Sequence, residues 1–287
     1  MSRFILYTFQ CAPLQNKDNH LFGDLPSIQE RMDNKLVYIH DIITSPGFKF
    51  KSKKDGEFNF KLFYDKEGLV IFRIANNKEL NLEENFKSTQ HHYSPSCFVI
   101  LDNRENIQQV AIEEDIKSFS STDVVRNILE FTLKKSLRHN GLTIEIKKEY
   151  EQKEFWELVG KQTKGVSMVR FTLSYPNLGR VHDSIEKLLN SESKAVNSKQ
   201  TELEFHSDNS EQLELHESNT QLKGLVEASA KSGNKITIKA RGIRKFIRIG
   251  ETTKSFEIDD LETQIQSPDL FQNLSGWLKN QYDNEKI

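Results

Sequence analysis

The clearest periodic pattern in the chain lies in residues 122–139. Apolar residues recur there every three or four positions and would share one face of a helix: Val125, Ile128, Leu129, Leu133 and Leu137. Thr122 is expected to cap the N-terminus of this helix, and Asn140-Gly141 is expected to end it. The pattern predicts one long amphipathic helix in the first half of the chain.

Apolar runs and alternating patterns on both sides of this helix predict strands. The predicted strands cover residues 4–9, 58–64, 69–74, 97–101, 107–112 and 142–146. Residues 65–68 form a turn between two of them, because Gly68 can adopt a positive φ. Residues 1–150 are therefore expected to form an N-terminal α+β domain, a mixed or antiparallel sheet with a capped helix.

The pattern changes after residue 150. Residues 151–164 are expected to hold a short linking helix. The following predicted order is a strand at 169–175, a helix at 181–189, strands at 203–205 and 213–215, a helix at 220–230 and a strand from 236. This order is that of a ferredoxin-like βαββαβ fold. The second predicted domain spans residues 165–287 and includes a terminal helix from residue 267.

Composition excludes several classes of protein. The 36% hydrophobic share, with 19 Phe, supplies enough buriable surface to exclude a mostly disordered chain. Two cysteines make no disulfide framework, and no apolar run approaches the roughly 18 residues of a membrane span. These features favour a cytoplasmic protein without a membrane partner. The net charge of −2 excludes a polycation, so that any contact with nucleic acid must be local.

Basic residues are concentrated between Lys223 and Lys254, where nine of them accompany two acidic residues. Strand alternation places Ile236 and Ile238 on one face and the cations on the other. A flat cationic face beside an aromatic ring is suited to a phosphate backbone. The predicted nucleic-acid-binding residues are Lys235, Lys239, Arg241, Arg244, Lys245, Phe246 and Arg248.

The alternative is an ordinary solvated strand face. Residues 201–220 and 256–269 are acidic and contain no Lys or Arg. Acidic and basic strands that pair across one sheet would neutralise the patch. A second group of lysines, between Lys49 and Lys54, is expected to lie on a solvated turn.

A metal-dependent nuclease is a second hypothesis. Glu145-Ile146-Lys147 matches a Glu-x-Lys element in which the carboxylate binds Mg²⁺ and the lysine supports the attacking water. Asp102 and Glu113 could add ligands. His91, His92 and Cys97 lack the spacing of a zinc site, as do His206, Asp208 and His216, and no nucleophile motif is present. Catalytic residues and cofactors are thus not expected, except Asp102, Glu145, Lys147 and Mg²⁺ under the nuclease hypothesis.

Residues 95–103, 107–112 and 119–122, followed by the helix, resemble the RexA-like phage-exclusion proteins and related accessory proteins of bacterial anti-phage defence. The resemblance covers about a quarter of the chain. It implies DNA binding in an abortive response to infection, usually as a homodimer, and brings no catalytic residues. The chain departs from RexA in its balanced charge and in the hairpin of its second half.

Together, these observations predict a cytoplasmic protein of anti-phage defence that binds nucleic acid, expected to be DNA. Binding is expected to involve the phosphate backbone and to show little sequence preference. The alternatives are the nuclease and a protein-interaction subunit that binds a protein partner from the same locus.

Overall fold

The computed structural model describes residues 1–14, 26–54, 56–84, 86–104, 107–174, 200–208, 211–267, 270 and 273–274. Within these ranges the protein is α+β, and its strands pair in the antiparallel sense. The predicted α+β class with antiparallel pairing is confirmed. The predicted helix at 181–189 and most of the predicted terminal helix lie outside the described residues.

Seven strands form sheet A: β1 (Ser2–Pro13), β4 (Phe60–Lys66), β5 (Leu69–Ala75), β8 (Ser96–Asp102), β9 (Gln109–Glu113), β10 (Leu142–Lys148) and β15 (Ser255–Ile258). Their order is β10-β1-β9-β8-β5-β4, and β15 pairs with the start of β1 beside β10. The predicted turn at 65–68 is confirmed, because Glu67 and Gly68 both have positive φ, at 51° and 80°, between β4 and β5.

Both faces of sheet A are covered, and this explains the unbroken apolar run of β1. Helices α1 (Ile28–Asp33), α2 (Lys35–Thr44) and α3 (Thr122–Leu137) lie in the first half of the chain. Ile5, Tyr7 and Phe9 share one buried cluster with the apolar face of α3. Phe4 and Leu6 join a second cluster on the opposite face of the sheet.

The predicted long helix is confirmed, but its N-terminal cap is not Thr122. Ser121 occupies the cap position in an extended conformation, at φ −163° and ψ 162°. Thr122 begins α3 and accepts a hydrogen bond from the Tyr7 hydroxyl at 2.8 Å. Gly141 follows the terminal turn of 3₁₀ helix at φ 64°, as its position in the sequence predicts.

Sheet B contains β11 (Val166–Ser174), β12 (Gln200–His206), β13 (Ile236–Ala240) and β14 (Ile247–Ile249), in the order β12-β11-β13-β14. Helices α4 (Lys153–Gly160) and α5 (Thr220–Lys231) supply apolar side chains to the cluster on one of its faces. The linking helix predicted within 151–164 therefore exists as α4.

The ferredoxin-like arrangement is not confirmed. Residues 213–215, predicted as a strand, form none: the Leu213 N–H donates to the Val166 carbonyl at 2.9 Å, and Leu213 and Leu215 pack against the apolar cluster instead of extending a ladder. The partner of β13 on its other side is β14, the short return strand that carries Arg248. The helix cap is Asn219, one residue before the predicted Thr220, and it accepts from two backbone N–H groups at 3.1 Å.

The chain returns to sheet A after sheet B. β15 pairs with β1, and a short helix, α6 (Leu261–Gln264), follows it. Leu261, Leu270 and Leu274 are buried in the cluster on the outer face of sheet A. The predicted domain boundary at residue 165 assigned these residues to the second domain. In the structure, the last described residues pack with the first half of the chain.

Short contacts join the two sheets where β10 leads into α4. The Tyr150 hydroxyl donates to the Asn234 carbonyl at 2.6 Å, and Lys147 Nζ donates to Asn234 Oδ1 at 3.0 Å. Glu154 accepts from the backbone N–H groups of residues 250, 251 and 252 at 2.8–3.2 Å. These bonds fix β14 relative to sheet A. Among the described residues, no helix has both the length and the apolar character to cross a membrane.

Candidate nucleic-acid interface

Among the described residues, no helix packs on one of the two faces of sheet B, and the predicted cations lie on this face and on the loop beside it. Ile236 and Ile238 are fully buried in the cluster beneath the sheet, as predicted. Thr237 and Lys239 alternate with them and therefore point to the open face. Arg248 is exposed on β14, directly opposite Thr237.

The loop from β13 to β14 brings three residues of the predicted set, Lys239, Arg244 and Phe246, into contact. Lys239 Nζ lies 5.0 Å from the ring centroid of Phe246 and also donates to the Arg244 carbonyl. Phe246 is 57% exposed. We use the name basic loop for the following residues of the loop and its two strands: Lys239, Arg244, Lys245, Phe246 and Arg248.

Three cations of the basic loop are free of carboxylates. Arg244, Lys245 and Arg248 are exposed and form no ion pair with any residue that the structure describes. Neutralisation by a paired acidic strand, which the sequence analysis considered, would have placed carboxylates opposite these cations. The uncompensated charge is therefore local to the β13–β14 end of the sheet.

Two of the predicted nucleic-acid-binding residues, Lys235 and Arg241, already bind other residues of the chain. Lys235 Nζ lies 2.5 Å from Glu251 Oε1. Arg241 donates to the Asp208 carbonyl at 2.7 Å and to Ser207 Oγ at 3.3 Å. The structure thus narrows the candidate interface from seven residues to the five of the basic loop.

The acidic strand β12 compensates a different cation. Arg170, on the central strand β11, lies 2.5 Å from Glu204 Oε2 and 3.8 Å from Glu202 Oε2. The hydrogen bond to Arg170 lowers the pKa of Glu204. His206 Nε2 lies 2.6 Å from the other oxygen of Glu204. The anticipated neutralisation of acidic by basic strands occurs at the β12 edge, while β13 and β14 remain cationic.

The lysine group near residue 50 is partly compensated too. Lys49 and Lys51 each lie 2.9 Å from Glu57, across the small hairpin of β2 (Phe50–Lys51) and β3 (Glu57–Phe58). Their hydrogen bonds lower the pKa of Glu57 to about 2. This pairing makes the group a weaker candidate for phosphate binding than the basic loop.

The nuclease residues do not converge. Glu145 and Lys147 share a face of β10, as predicted, with 3.1 Å between Nζ and the carboxylate. Asp102 is 1% exposed on β8 and is bound to its neighbour Arg104 by two hydrogen bonds, at 2.9 and 2.5 Å. Strands β9 and β1 lie between β8 and β10, which is roughly 14 Å of sheet.

Glu113, the third possible ligand, lies at the other end of β9 from Asp102. It pairs in register with Phe4, whereas Asp102 pairs with Gln109. Its carboxylate accepts a hydrogen bond from the Phe98 backbone N–H at 2.9 Å. The prediction that these carboxylates form one magnesium site is therefore wrong in its geometry.

The histidines and cysteines do not gather either. His91 and His92 are exposed on β7 (Lys87–Tyr93), while Cys97 is buried in β8, where burial raises the pKa of its thiol to about 12. No cluster of three or more His, Cys, Asp or Glu side chains suited to a metal ion occurs among the described residues.

Comparison with known proteins adds no assignment. No protein-family model matches the chain, and no curated protein matches it as a relative. The functional argument therefore depends on the fold and on the basic loop.

Proposed function

We propose that this protein binds nucleic acid through the basic loop. The observation that carries the proposal is the exposure of Arg244, Lys245 and Arg248 without a carboxylate partner among the described residues. Lys and Arg that neutralise phosphates release condensed counterions, and this release dominates affinity for nucleic acid. A cluster of uncompensated cations on one end of an open sheet provides such contacts.

The geometry supports a backbone contact with little sequence preference. The site consists of two short strands and their connection, and not of a helix that would lie in a groove and read base edges. Phe246 offers an exposed ring next to the cations, and base stacking on a ring tolerates any base. The expected ligand is therefore DNA or RNA recognised by its phosphates, with stacking at one position.

The direct test is reversal of two of the free charges. Arg244→Glu with Arg248→Glu is expected to weaken binding to a labelled oligonucleotide by about tenfold or more in a fluorescence-anisotropy titration. The matched control is Lys134→Glu with Lys135→Glu. This variant changes the net charge by the same amount, at exposed positions on helix α3, away from sheet B. Full affinity in the first variant, or an equal loss in the control, would show that the basic loop is not the interface.

The same samples test the nuclease hypothesis. Incubation of wild-type protein with plasmid DNA and RNA in Mg²⁺ or Mn²⁺ is expected to leave both intact, because Asp102, Glu113 and Glu145 lie apart in sheet A. Cleavage that disappears in Glu145→Ala would replace the binding proposal with the enzymatic one.

We also propose that this binding serves cytoplasmic defence against phage, on the strength of the resemblance of residues 95–122 and the following helix to RexA-like proteins. Expression of the wild-type chain is then expected to reduce phage plating on its host, alone or with its neighbouring genes, and the Arg244→Glu, Arg248→Glu variant is expected to lose this effect. Equal protection by the wild type and the variant would show that the role in phage defence does not depend on the basic loop.

A further inference from the structure

A two-stranded ribbon extends from sheet A between β5 and β8, and at its base Lys78 Nζ donates to the Lys117 carbonyl at 2.6 Å. It consists of β6 (Lys78–Glu84) and β7, and every residue of β7 is exposed. We call this ribbon the arm. The arm continues the pairing of β5 with β8, because the Asn76 N–H donates to the Pro95 carbonyl at 2.8 Å. It has no third strand among the described residues, and a two-stranded ribbon gains stability when its apolar side chains pack against another surface.

The large apolar side chains of the two strands of the arm lie on one face. Residues directly opposite each other share a face, and these pairs place Leu80, Leu82 and Tyr93 together, at 46%, 41% and 46% exposure, beside Lys78, His91 and Thr89. The other face carries Glu79, His92, Asn81 and Gln90. This amphipathic ribbon exposes its apolar side to solvent in a single copy of the chain.

Phe86, in the turn of the arm, is the most exposed large hydrophobic residue that the structure describes. It is 98% exposed and adopts a positive φ of 60°, which is unfavourable for a bulky side chain. None of the residues that the structure describes buries this ring. Its neighbour Lys87 is exposed and has no ion pair among the described residues.

Sheet B carries a cavity of complementary character. Its volume is about 300 Å³, and its apolar walls are formed by Val169, Phe205, Leu213, Leu215, Leu222 and Leu225. A closed apolar cavity of roughly 150 Å³ holds a benzene ring. The cavity in sheet B is thus large enough for a phenylalanine side chain.

The charges next to the ring and the cavity are also complementary. Glu214 lines the cavity, is exposed, and forms no ion pair within the described part of the chain. A phenylalanine ring in the cavity would bring the adjacent lysine of the arm to this side of the sheet. Lys87 and Glu214 are then a cross-subunit ion pair of the kind that orients an interface.

We propose that the arm of one copy of this chain docks on sheet B of a second copy, with Phe86 in the cavity and Lys87 beside Glu214. Each copy supplies one arm and one cavity, so two identical contacts related by a twofold axis close a dimer. A single short arm buries less than the roughly 800 Å² per partner of a stable interface, and the reciprocal exchange doubles the contact.

The first test is the oligomeric state in solution. Sedimentation velocity is expected to show a reversible dimer for the wild type and a dissociation constant at least about tenfold higher for Phe86→Asp. The control is Ile116→Asp, an equally drastic change at another exposed residue, 76% accessible and outside the proposed contact, which should leave the dimer intact. A monomeric wild type at concentrations on the order of 100 µM, or an unchanged dimer in Phe86→Asp, overturns the proposal.

The second test identifies the contact. Lys87→Glu is expected to weaken the dimer, and Lys87→Glu with Glu214→Lys to restore it. Mixing the variants Lys87→Cys and Glu214→Cys under mild oxidation should give a covalent dimer that neither variant forms alone. The native Cys11 and Cys97 are each 1% exposed and do not compete. Failure of both the charge exchange and the cross-link would show that the arm docks elsewhere.

Discussion

Glu154 shows how a single side chain holds the basic loop's strand in place. Burial raises the pKa of its carboxyl group, but hydrogen bonds from the backbone N–H groups of Thr252, Gly250 and Glu251 outweigh burial, and the net pKa is lowered. Glu149, five residues earlier, shows the opposite balance: burial raises its pKa, and among the described residues only one of its carboxylate oxygens accepts a hydrogen bond, from Gln109 at 2.6 Å. The sequence contains both glutamates without a pattern that distinguishes them.

The Glu154 carboxylate is expected to stabilise the fold in a pH-dependent way. Because its folded pKa is lowered, its contribution is present above the unfolded pKa near 4.5 and is lost as the pH falls through the folded value. Glu154→Gln is expected to lower the free energy of unfolding by about 1–2 kcal/mol at pH 7, and the difference from wild type should shrink below pH 4. Urea denaturation at both pH values measures it.

The matched control for Glu154→Gln is Glu157→Gln, on the exposed side of the same helix, α4. This variant should match the wild type at both pH values. A pH-independent difference for Glu154→Gln would mean that the carboxylate's charge does not matter to the 250–252 turn.

Elements with strong periodicity could be predicted from the sequence, and elements defined by long-range pairing could not. The apolar spacing of α3 and the alternation of β10 are local, so both were predicted within a few residues. The return of β15 to β1 joins residues about 250 positions apart and leaves no local signal. The arm was missed because β7 is polar by sequence and has no buried face to give an alternating pattern.

The residues of the candidate site were also predicted from local patterns, whereas their long-range contacts were not. Strand alternation correctly placed Ile236, Ile238 and Lys239 on opposite faces. It could not show that Glu251 pairs with Lys235, or that Arg170 forms ion pairs with the glutamates of β12. These contacts depend on which strands are neighbours. The sequence could not show for the same reason that two strands separate Asp102 from Glu145.

Gly233, at the end of α5, tests the packing of that helix against sheet A. Its φ is 63°, and a Cβ there would lie 2.5 Å from both the Lys148 carbonyl oxygen and Lys147 Cβ. Gly233→Ala is expected to lower the free energy of unfolding by about 2–4 kcal/mol, because the backbone carbonyl cannot move aside.

Gly160→Ala is the control for this substitution, since no atom lies within 4 Å of a Cβ at that position. Its effect on unfolding should be less than about 1 kcal/mol. Equal effects of the two substitutions in thermal or urea denaturation would contradict the proposed close approach of α5 and β10.

At the scale of the whole molecule, charge is distributed unevenly although the total is only −2. The β12 edge of sheet B is acidic and internally paired, while the β13–β14 end is cationic and unpaired among the described residues. A polyanion should therefore approach one end of the sheet and be repelled by the other. This polarity favours a single binding orientation over a diffuse attraction.

The most direct test of nucleic-acid binding by the basic loop is the salt dependence of affinity, measured for the wild type and for Arg244→Gln with Arg248→Gln. Each phosphate contact contributes roughly 0.7–0.9 to the slope of log K against log salt concentration. The account predicts a steep negative slope for the wild type that becomes shallower by about 1.4 to 1.8 in the variant, because two phosphate contacts are lost. Identical slopes for the two proteins would contradict it.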